Sequence, residues 1–296
     1  MPQAPLFGRV LTAMVTPMRA DGSLDLDGAA ALAAHLVDQG HDGLVVNGTT
    51  GESPTTTDAE KAELVRVVVE AVGDRAHIVA GAGSNNTAHT VELARAAAKA
   101  GARALLIVTP YYNKPPQEGV LAHFTTVADA TDLPVMVYDI PGRTGIPIHT
   151  STLLRMAEHP RIVAVKDAKG DLFAASEVMS ATDLQWYSGD DALNLAHLTQ
   201  GAVGIVSVVG HLASRQYGEM IAAVGQGNLA RAIEIHRQLI PVVNAVMHIT
   251  QGPIAVKAAL HARGVIASDT LRLPLISATE EQLAQVRAGI EKSGLS

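Results

Sequence analysis

Lys166 is the side chain whose sequence surroundings most clearly favour a chemical role. It follows the apolar residues 162–165, whereas the other lysines lie in segments of helical or loop character where solvation is easy: Lys61, Lys99, Lys114, Lys169, Lys257 and Lys292. Burial disfavours the charged form of an amine and lowers its pKa. Because a neutral amine attacks ketones, Lys166 is a candidate for Schiff-base formation. An ion pair with Asp167, or a side chain extended into solvent, stays open as an alternative.

Tyrosines are few and are placed where a proton relay would need them. Three of the five, Tyr111, Tyr112 and Tyr138, fall at the ends of short apolar runs. A phenol relays protons during imine chemistry, and the hydroxyls of Thr49 and Thr50 are able to hold such a phenol. Rim tyrosines that cover apolar surface and keep their hydroxyls in water are the alternative.

Arg143 follows Pro141-Gly142 and suits bidentate capture of a carboxylate. Its alternative role is a loop ion pair with an aspartate. Asp190-Asp191 is predicted to cap a helix or stabilise a loop rather than bind a metal, because no histidine lies close to it in sequence. The twelve histidines show no metal-ligand spacing, and GAGSNN at 81–86 lacks the third glycine of a dinucleotide-binding turn.

The elements that would position these residues follow a regular alternation. Short apolar runs start 18 to 34 residues apart, at 10–16, 43–47, 77–83, 104–109, 134–140, 162–167, 185–189 and 203–209. Alanine-rich amphipathic segments such as 26–39, 58–72 and 87–100 separate them, each followed by glycine. Strands apolar on consecutive positions are covered on both faces, so the pattern predicts an α/β fold with a parallel sheet closed into a (β/α)₈ TIM barrel.

The last quarter of the sequence is predicted to be helical. Segments 212–224, 229–248, 253–263 and 279–292 have helical character, and the first would complete the barrel. We therefore expect a (β/α)₈ catalytic barrel at 1–225 and a C-terminal extension of three helices at 226–296.

Composition excludes several classes of function. The 296 residues include no cysteine, which excludes disulfides, thiolate metal sites and a cysteine nucleophile. A net charge of −7 argues against a nucleic acid or an anionic membrane as partner. Apolar runs are too short for a membrane span, and residues 1–20 do not have the pattern of a signal peptide. We expect a cytoplasmic protein.

Six motifs together resemble the dihydrodipicolinate synthase / N-acetylneuraminate lyase family of class I aldolases over nearly the whole chain. They are GTTGES at 48–53, TPYYN at 109–113, YDIPGRTG at 138–145, VKDAKG at 165–170, SGDD at 188–191 and DTLRLPL at 269–275. The TTGES, P-x-R-T-G and D-T-L-R-L-P sequences resemble the synthase branch. That branch implies a Schiff-base-forming lyase that condenses pyruvate with L-aspartate 4-semialdehyde to 4-hydroxy-tetrahydrodipicolinate, for diaminopimelate and lysine biosynthesis.

The resemblance assigns roles to individual residues. It implies that Lys166 forms the Schiff base and that Tyr138 is the general acid/base. Thr49 and Tyr112 would be its relay partners, Tyr112 within a neighbouring subunit's site. The expected assembly is a homotetramer, a dimer of dimers.

The resemblance also implies the substrate contacts. Thr50 and adjacent N–H groups would bind the carboxylate of pyruvate, and Arg143 that of the semialdehyde. The carbonyls of Gly189 and Val206 would line the pocket. No metal or organic cofactor is implied.

The sequence departs from the family pattern near the candidate lysine. Asp167 replaces a glutamate, Lys169 replaces a serine or threonine, and Asp139 replaces an asparagine. None of these removes a group that the chemistry needs, although the first bears on the geometry of the loop after Lys166.

A second set of departures concerns regulation. In members of the family inhibited by L-lysine, the effector site matches Ser53, Asn85 and Tyr111 here. Two histidines of that site correspond to Asp58 and Lys61, and its glutamate corresponds to His89. We expect L-lysine to inhibit weakly or not at all, because His89 cannot supply the carboxylate partner of an ammonium.

Three other functions stay open. The nearest is an aldolase or lyase for N-acetylneuraminate or a 2-keto-3-deoxy sugar acid, which would share the lysine and the tyrosine. A catalytically silent protein that binds small carboxylates is another. A metal-dependent barrel hydrolase is the third, and the missing ligand spacing disfavours it.

Overall fold

A computed structural model describes residues 5–295 of the chain. Eight parallel strands form a closed barrel in sequence order. They are β1 (Val10–Ala13), β2 (Gly43–Val46), β3 (His77–Gly81), β4 (Ala104–Val108), β5 (Val135–Asp139), β6 (Ile162–Asp167), β7 (Gln185–Ser188) and β8 (Gly204–Ser207). The predicted α/β class and TIM-barrel fold are confirmed.

Helices separate the strands and cover the barrel. They are α1 (Leu26–Asp38), α2 (Asp58–Val72), α3 (Thr87–Lys99), α4 (Gln117–Asp129), α5 (Pro141–Thr144), α6 (Thr150–Met156), α7 (Leu172–Ala181), α8 (Asn194–Thr199) and α9 (Gly210–Gly225). Asn86 caps α3, and Asp190 caps the 3₁₀ turn Asp191–Leu193 by accepting from the Ala192 N–H. The predicted capping role of the aspartate pair is therefore confirmed for Asp190.

Three further helices follow the barrel: α10 (Leu229–Met247), α11 (Gly252–Ala262) and α12 (Glu280–Lys292). They lie within one or two residues of the predicted segments, while the division into two units at residue 225 stays a prediction. Within residues 5–295, no single helix is long and apolar enough to cross a membrane. Only α10 and α11 taken together, bent by 106°, reach that length and composition.

Two apolar layers hold the strands. Side chains facing the barrel axis form one cluster, which includes Leu11, Val79, Met136, Ala164 and Val206. The side chains at the strand positions between these point outward and pack against the helices in a second, larger cluster. The strands end sooner than predicted, because the last predicted residues of most runs leave the sheet and form the loops at the carboxyl ends, where sites of TIM barrels lie.

Candidate active site

Lys166 and Tyr138 are brought together by the pairing of β5 with β6. They are register partners in adjacent strands, and the Lys166 Nζ lies 4.1 Å from the centroid of the Tyr138 ring. Both residues lie near the carboxyl ends of their strands, on the inward-facing positions. The amine predicted to form the imine and the phenol predicted to transfer protons are therefore neighbours.

The amine of Lys166 is held in a dry environment. The residue is 4% exposed, so its side chain does not extend into solvent. Burial lowers the pKa of this amine to about 8. That value already includes the opposing effect of Asp191 and the additional lowering by Arg143. Within the described residues Asp167 forms no ion pair with it; one oxygen of that carboxylate accepts the Lys169 N–H at 2.7 Å and the other lies 4.0 Å from the His197 Nε2. Both structural alternatives for Lys166 are therefore excluded in this arrangement.

Gly189, at the end of β7, leaves the space that Lys166 occupies. A Cβ at this position would lie 2.8 Å from the Lys166 Cγ and 2.9 Å from its Cε. The Gly189 N–H also donates to the Asp167 carbonyl at 2.7 Å, which joins the ends of β6 and β7. Any larger residue would push against the candidate lysine.

Tyr138 is buried as a neutral phenol. Burial raises its pKa to about 12, while Arg143 and the Thr49 side chain act in the opposite direction. The phenol therefore keeps its proton at neutral pH and is able to donate it. Thr49, the predicted relay partner of Tyr138, lines the same cavity as the phenol.

The turn after β2 presents backbone donors at the site. The Gly51 N–H donates to the Gly48 carbonyl and the Glu52 N–H to the Thr49 carbonyl. Within the described residues, the N–H groups of Thr49 and Thr50 have no acceptor. Successive unpaired backbone donors in such a turn form a concavity that suits an anion such as a carboxylate.

A cavity of about 240 Å³ opens at this end of the barrel. Thr49, Tyr111, Tyr138 and Arg143 are among its lining residues. Arg143 is exposed, and its Nη2 donates to the Gln251 Oε1 at 2.9 Å rather than to an aspartate. The cavity thus combines a cationic rim with Tyr138 in its wall.

The remaining predicted site residues lie outside that lining. Thr50, Lys166 and Val206 are buried, and Val206 packs in the inner barrel layer. Tyr112 is 89% exposed and has a left-handed backbone with φ of 71°. In a single chain, Tyr111 therefore faces the cavity and Tyr112 does not.

Comparison with known proteins agrees with this geometry. A model of the dihydrodipicolinate synthetase family matches residues 6–293. The chain belongs to this family. It is 61% identical to 4-hydroxy-tetrahydrodipicolinate synthase of Kineococcus radiotolerans, over 98% of this chain and 94% of the relative. It is 60% identical to 4-hydroxy-tetrahydrodipicolinate synthase 2 of Streptomyces coelicolor, over 99% of this chain and 97% of the relative.

A solved structure of a family member is also similar. It is described as that of DHDPS from Cyanidioschyzon merolae with lysine bound. It is 43% identical, covers 98% of this chain and 99% of its own, and superposes with a TM-score of 0.95. The family predicted from the sequence motifs is confirmed.

The departures from the family pattern form one buried cluster behind the site. Lys169 Nζ lies 3.8 Å from Asp139 Oδ2, and Asp139 also accepts the Ile148 N–H at 3.2 Å. Burial raises the pKa of Asp139 to about 7, Lys169 and the Ile148 N–H oppose that shift, and Asp167 adds to it. Two of the three departures, Asp139 and Lys169, therefore compensate each other in charge.

The expectation that every lysine other than Lys166 is easily solvated is wrong for Lys257. This residue of α11 is completely buried, and its Nζ lies 2.5 Å from the Glu52 Oε1. The other Glu52 oxygen accepts the Arg272 N–H at 2.9 Å. Glu52 lies in the motif at 48–53 and Arg272 in the motif at 269–275, but residues so far apart in sequence give no indication that they are in contact. Lys257 gave no local signal, because its burial depends on what packs against α11.

Proposed function

We propose that this chain condenses pyruvate with L-aspartate 4-semialdehyde to 4-hydroxy-tetrahydrodipicolinate through a Schiff base on Lys166. The observation that carries the proposal is a buried amine with a pKa lowered to about 8, next to the ring of Tyr138. The relatives from Kineococcus and Streptomyces are named for this activity, which confirms the class of enzyme predicted from the sequence.

The first half of the reaction captures pyruvate. Its carboxylate binds the N–H groups and hydroxyls of Thr49 and Thr50, which places the ketone carbon against Lys166. The neutral amine adds to this carbon, and the carbinolamine loses water to give an iminium. Loss of a methyl proton then leaves an enamine. Tyr138, which lines the same cavity as Thr49, moves the protons.

The second half joins the two substrates. Arg143 binds the carboxylate of the semialdehyde, and the enamine carbon attacks the aldehyde to form a carbon–carbon bond. Tyr138 protonates the resulting alkoxide. The amino group of the added substrate then attacks the iminium carbon, closes the ring and releases Lys166 as a free amine. The net result is one cyclic product and one water.

A substrate comparison tests this proposal against its alternatives. We expect consumption of pyruvate only when L-aspartate 4-semialdehyde is present, and no cleavage of N-acetylneuraminate or 2-keto-3-deoxy sugar acids. Cleavage of a sugar acid at a higher kcat/KM would favour the aldolase alternative. Pyruvate binding without trapping by borohydride would favour a silent binding protein, and activity lost in chelator would favour a metal enzyme.

We propose a homotetramer built as a dimer of dimers and located in the cytoplasm. Tyr112 supports the dimer, since its ring is 89% exposed and its backbone has the left-handed conformation that is costly for a bulky residue. A partner subunit that receives this ring would bury it and complete its own site. In a two-fold dimer, each subunit would lend its Tyr112 to the other.

Complementation between two inactive variants tests the exchange of Tyr112. We expect Tyr112→Ala and Lys166→Arg each to have little activity alone. Co-expressed in equal amounts, they should recover about one quarter of wild-type activity, because half of the dimers are hybrids with one complete site. No recovery in hybrid dimers verified by mass spectrometry would contradict a shared site.

L-lysine is expected to be a weak ligand. Asp58 Oδ2 already accepts from His89 Nε2 at 2.8 Å, and the Lys61 Nζ donates to the Thr56 carbonyl. We expect half-inhibition only above about 1 mM. Titration of L-lysine against initial rate, with the lysine-bound relative from Cyanidioschyzon as comparison, checks this; half-inhibition below about 1 mM would contradict it.

A further inference from the structure

We propose that α11, which lies outside the barrel, positions both carboxylate-binding elements of the site, and does so separately for each substrate. Lys257 of α11 holds Glu52 and through it the Thr49–Thr50 turn. Gln251, which precedes α11, holds Arg143. The assignment of one substrate to each element rests on the proposed function.

Lys257 and Glu52 form an ion pair without access to solvent. Their side chains are 0% and 1% exposed, and the Lys257 Nζ lies 2.5 Å from the Glu52 Oε1. Lys257 also donates to the Thr270 carbonyl at 2.7 Å. The second Glu52 oxygen accepts the Arg272 N–H at 2.9 Å. Charges buried this fully are held in one geometry, because leaving either partner unpaired is strongly unfavourable.

This pair reaches the pyruvate-binding turn through the backbone. Glu52 has a left-handed conformation with φ of 57°, which a residue other than glycine adopts only when its surroundings impose it. Its N–H donates to the Thr49 carbonyl at 3.1 Å. The side-chain contacts of Glu52 therefore fix one end of the turn. Within the described residues, the N–H groups of Thr49 and Thr50 in this turn have no acceptor.

Gln251 acts on the other element. Arg143 lies on α5, a helix of four residues, and its side chain is exposed. The 2.9 Å hydrogen bond from its Nη2 to the Gln251 Oε1 is its one side-chain hydrogen bond within residues 5–295. Because glutamine is neutral, it orients the guanidinium without neutralising it, so the charge stays available for a substrate carboxylate. A glutamate at 251 would compete with that carboxylate.

The kinetic scheme separates the two effects. The imine forms before the semialdehyde binds, and saturating semialdehyde commits the enamine to product, so under that condition kcat/KM for pyruvate reports the first half-reaction only. The value for the semialdehyde reports the second half-reaction only. A change confined to one of these constants marks a positioning role, whereas general loss of structure lowers both.

The experiment measures both constants for four variants of the full-length protein. Gln251→Ala should lower kcat/KM for the semialdehyde about tenfold, the effect of one charge-assisted hydrogen bond, and Gln251→Glu should lower it further. Neither should change kcat/KM for pyruvate or the rate of borohydride trapping. Lys257→Met should lower kcat/KM for pyruvate and the trapping rate at least tenfold. Glu52→Gln combined with Lys257→Met removes both buried charges and should show the same loss while keeping a folded circular-dichroism spectrum.

Arg231→Ala is the matched control in the extension. Arg231 makes only exposed ion pairs with Glu219 and Glu234, so both constants should stay unchanged. Equal losses in both constants for the Gln251 or Lys257 variants would overturn the proposal, as would wild-type values in Gln251→Ala or in the folded double variant. Failure of the wild type to consume semialdehyde would instead refute the proposed function, and the trapping rate would still test Lys257.

Discussion

Replacing Lys166 by arginine is expected to abolish turnover and the trapping of pyruvate. The guanidinium keeps the positive charge but is not a nucleophile at neutral pH, so no imine forms. In the wild type, borohydride reduction with pyruvate should add one lactyl-type mass to the peptide that contains Lys166. Mass spectrometry of the digested protein reads this directly.

The same experiment includes a control variant and has an outcome that would contradict the assignment. Lys99 is exposed at the end of α3, so Lys99→Arg makes the same substitution away from the site and should keep both activity and adduct. An adduct on another lysine, or an undiminished rate in Lys166→Arg, would show that the assignment is wrong.

The lowered pKa of Lys166 gives the trapping rate a specific pH dependence. Burial makes the amine easier to deprotonate, so its reactive form grows as pH rises toward about 8 and is nearly complete above it. Trapping should accelerate about tenfold per pH unit below that value and then level off. At pH 7 about one tenth of the amine is neutral, roughly 300 times more than for an ordinary lysine. A rise that continues to pH 10 would indicate a solvated amine.

Replacing Tyr138 by phenylalanine is expected to lower kcat by about two to four orders of magnitude, the usual contribution of a positioned proton donor. The ring that packs against Lys166 stays, and only the hydroxyl is lost. Imine formation should be slowed less than the condensation, because the condensation also requires protonation of an alkoxide. Rapid-quench measurement of adduct formation beside steady-state rates separates the two steps.

Tyr187→Phe is the matched control for this change. Tyr187 is also buried inside the barrel and is the register partner of Lys166 on β7, but its hydroxyl donates to the Gly8 carbonyl at 3.1 Å and accepts the Phe7 N–H at 3.4 Å, both ahead of β1. Its loss removes two buried hydrogen bonds, each worth about 1 kcal/mol, so it should reduce thermal stability and leave kcat within about twofold of wild type. Equal kcat losses in the two variants would refute a chemical role for the Tyr138 hydroxyl.

The arrangement of the barrel was predictable because it depends on periodicity. Eight apolar runs separated by amphipathic segments admit few topologies, and the right-handed parallel connections lead to closure. The ends of the strands were less predictable. Residues 14–16 continue the apolar pattern of the first run, yet β1 ends at Ala13 because the chain leaves the sheet there. A hydrophobic pattern indicates only that residues are buried. It therefore does not distinguish buried loop residues from residues of a strand.

The sequence by itself determined the fold, the family and the position of Lys166 at the end of a dry strand, since those follow from local pattern and motif. The tertiary structure decided which side chains meet. It placed Tyr138 beside Lys166, buried Lys257 against Glu52 across 205 positions of sequence, and joined Arg143 to Gln251 across 108. It also turned Tyr112 outward, away from its own cavity. The physical reason is that the free energy of a buried charge depends on the groups packed around it, and closure of the barrel selects those groups from distant parts of the chain.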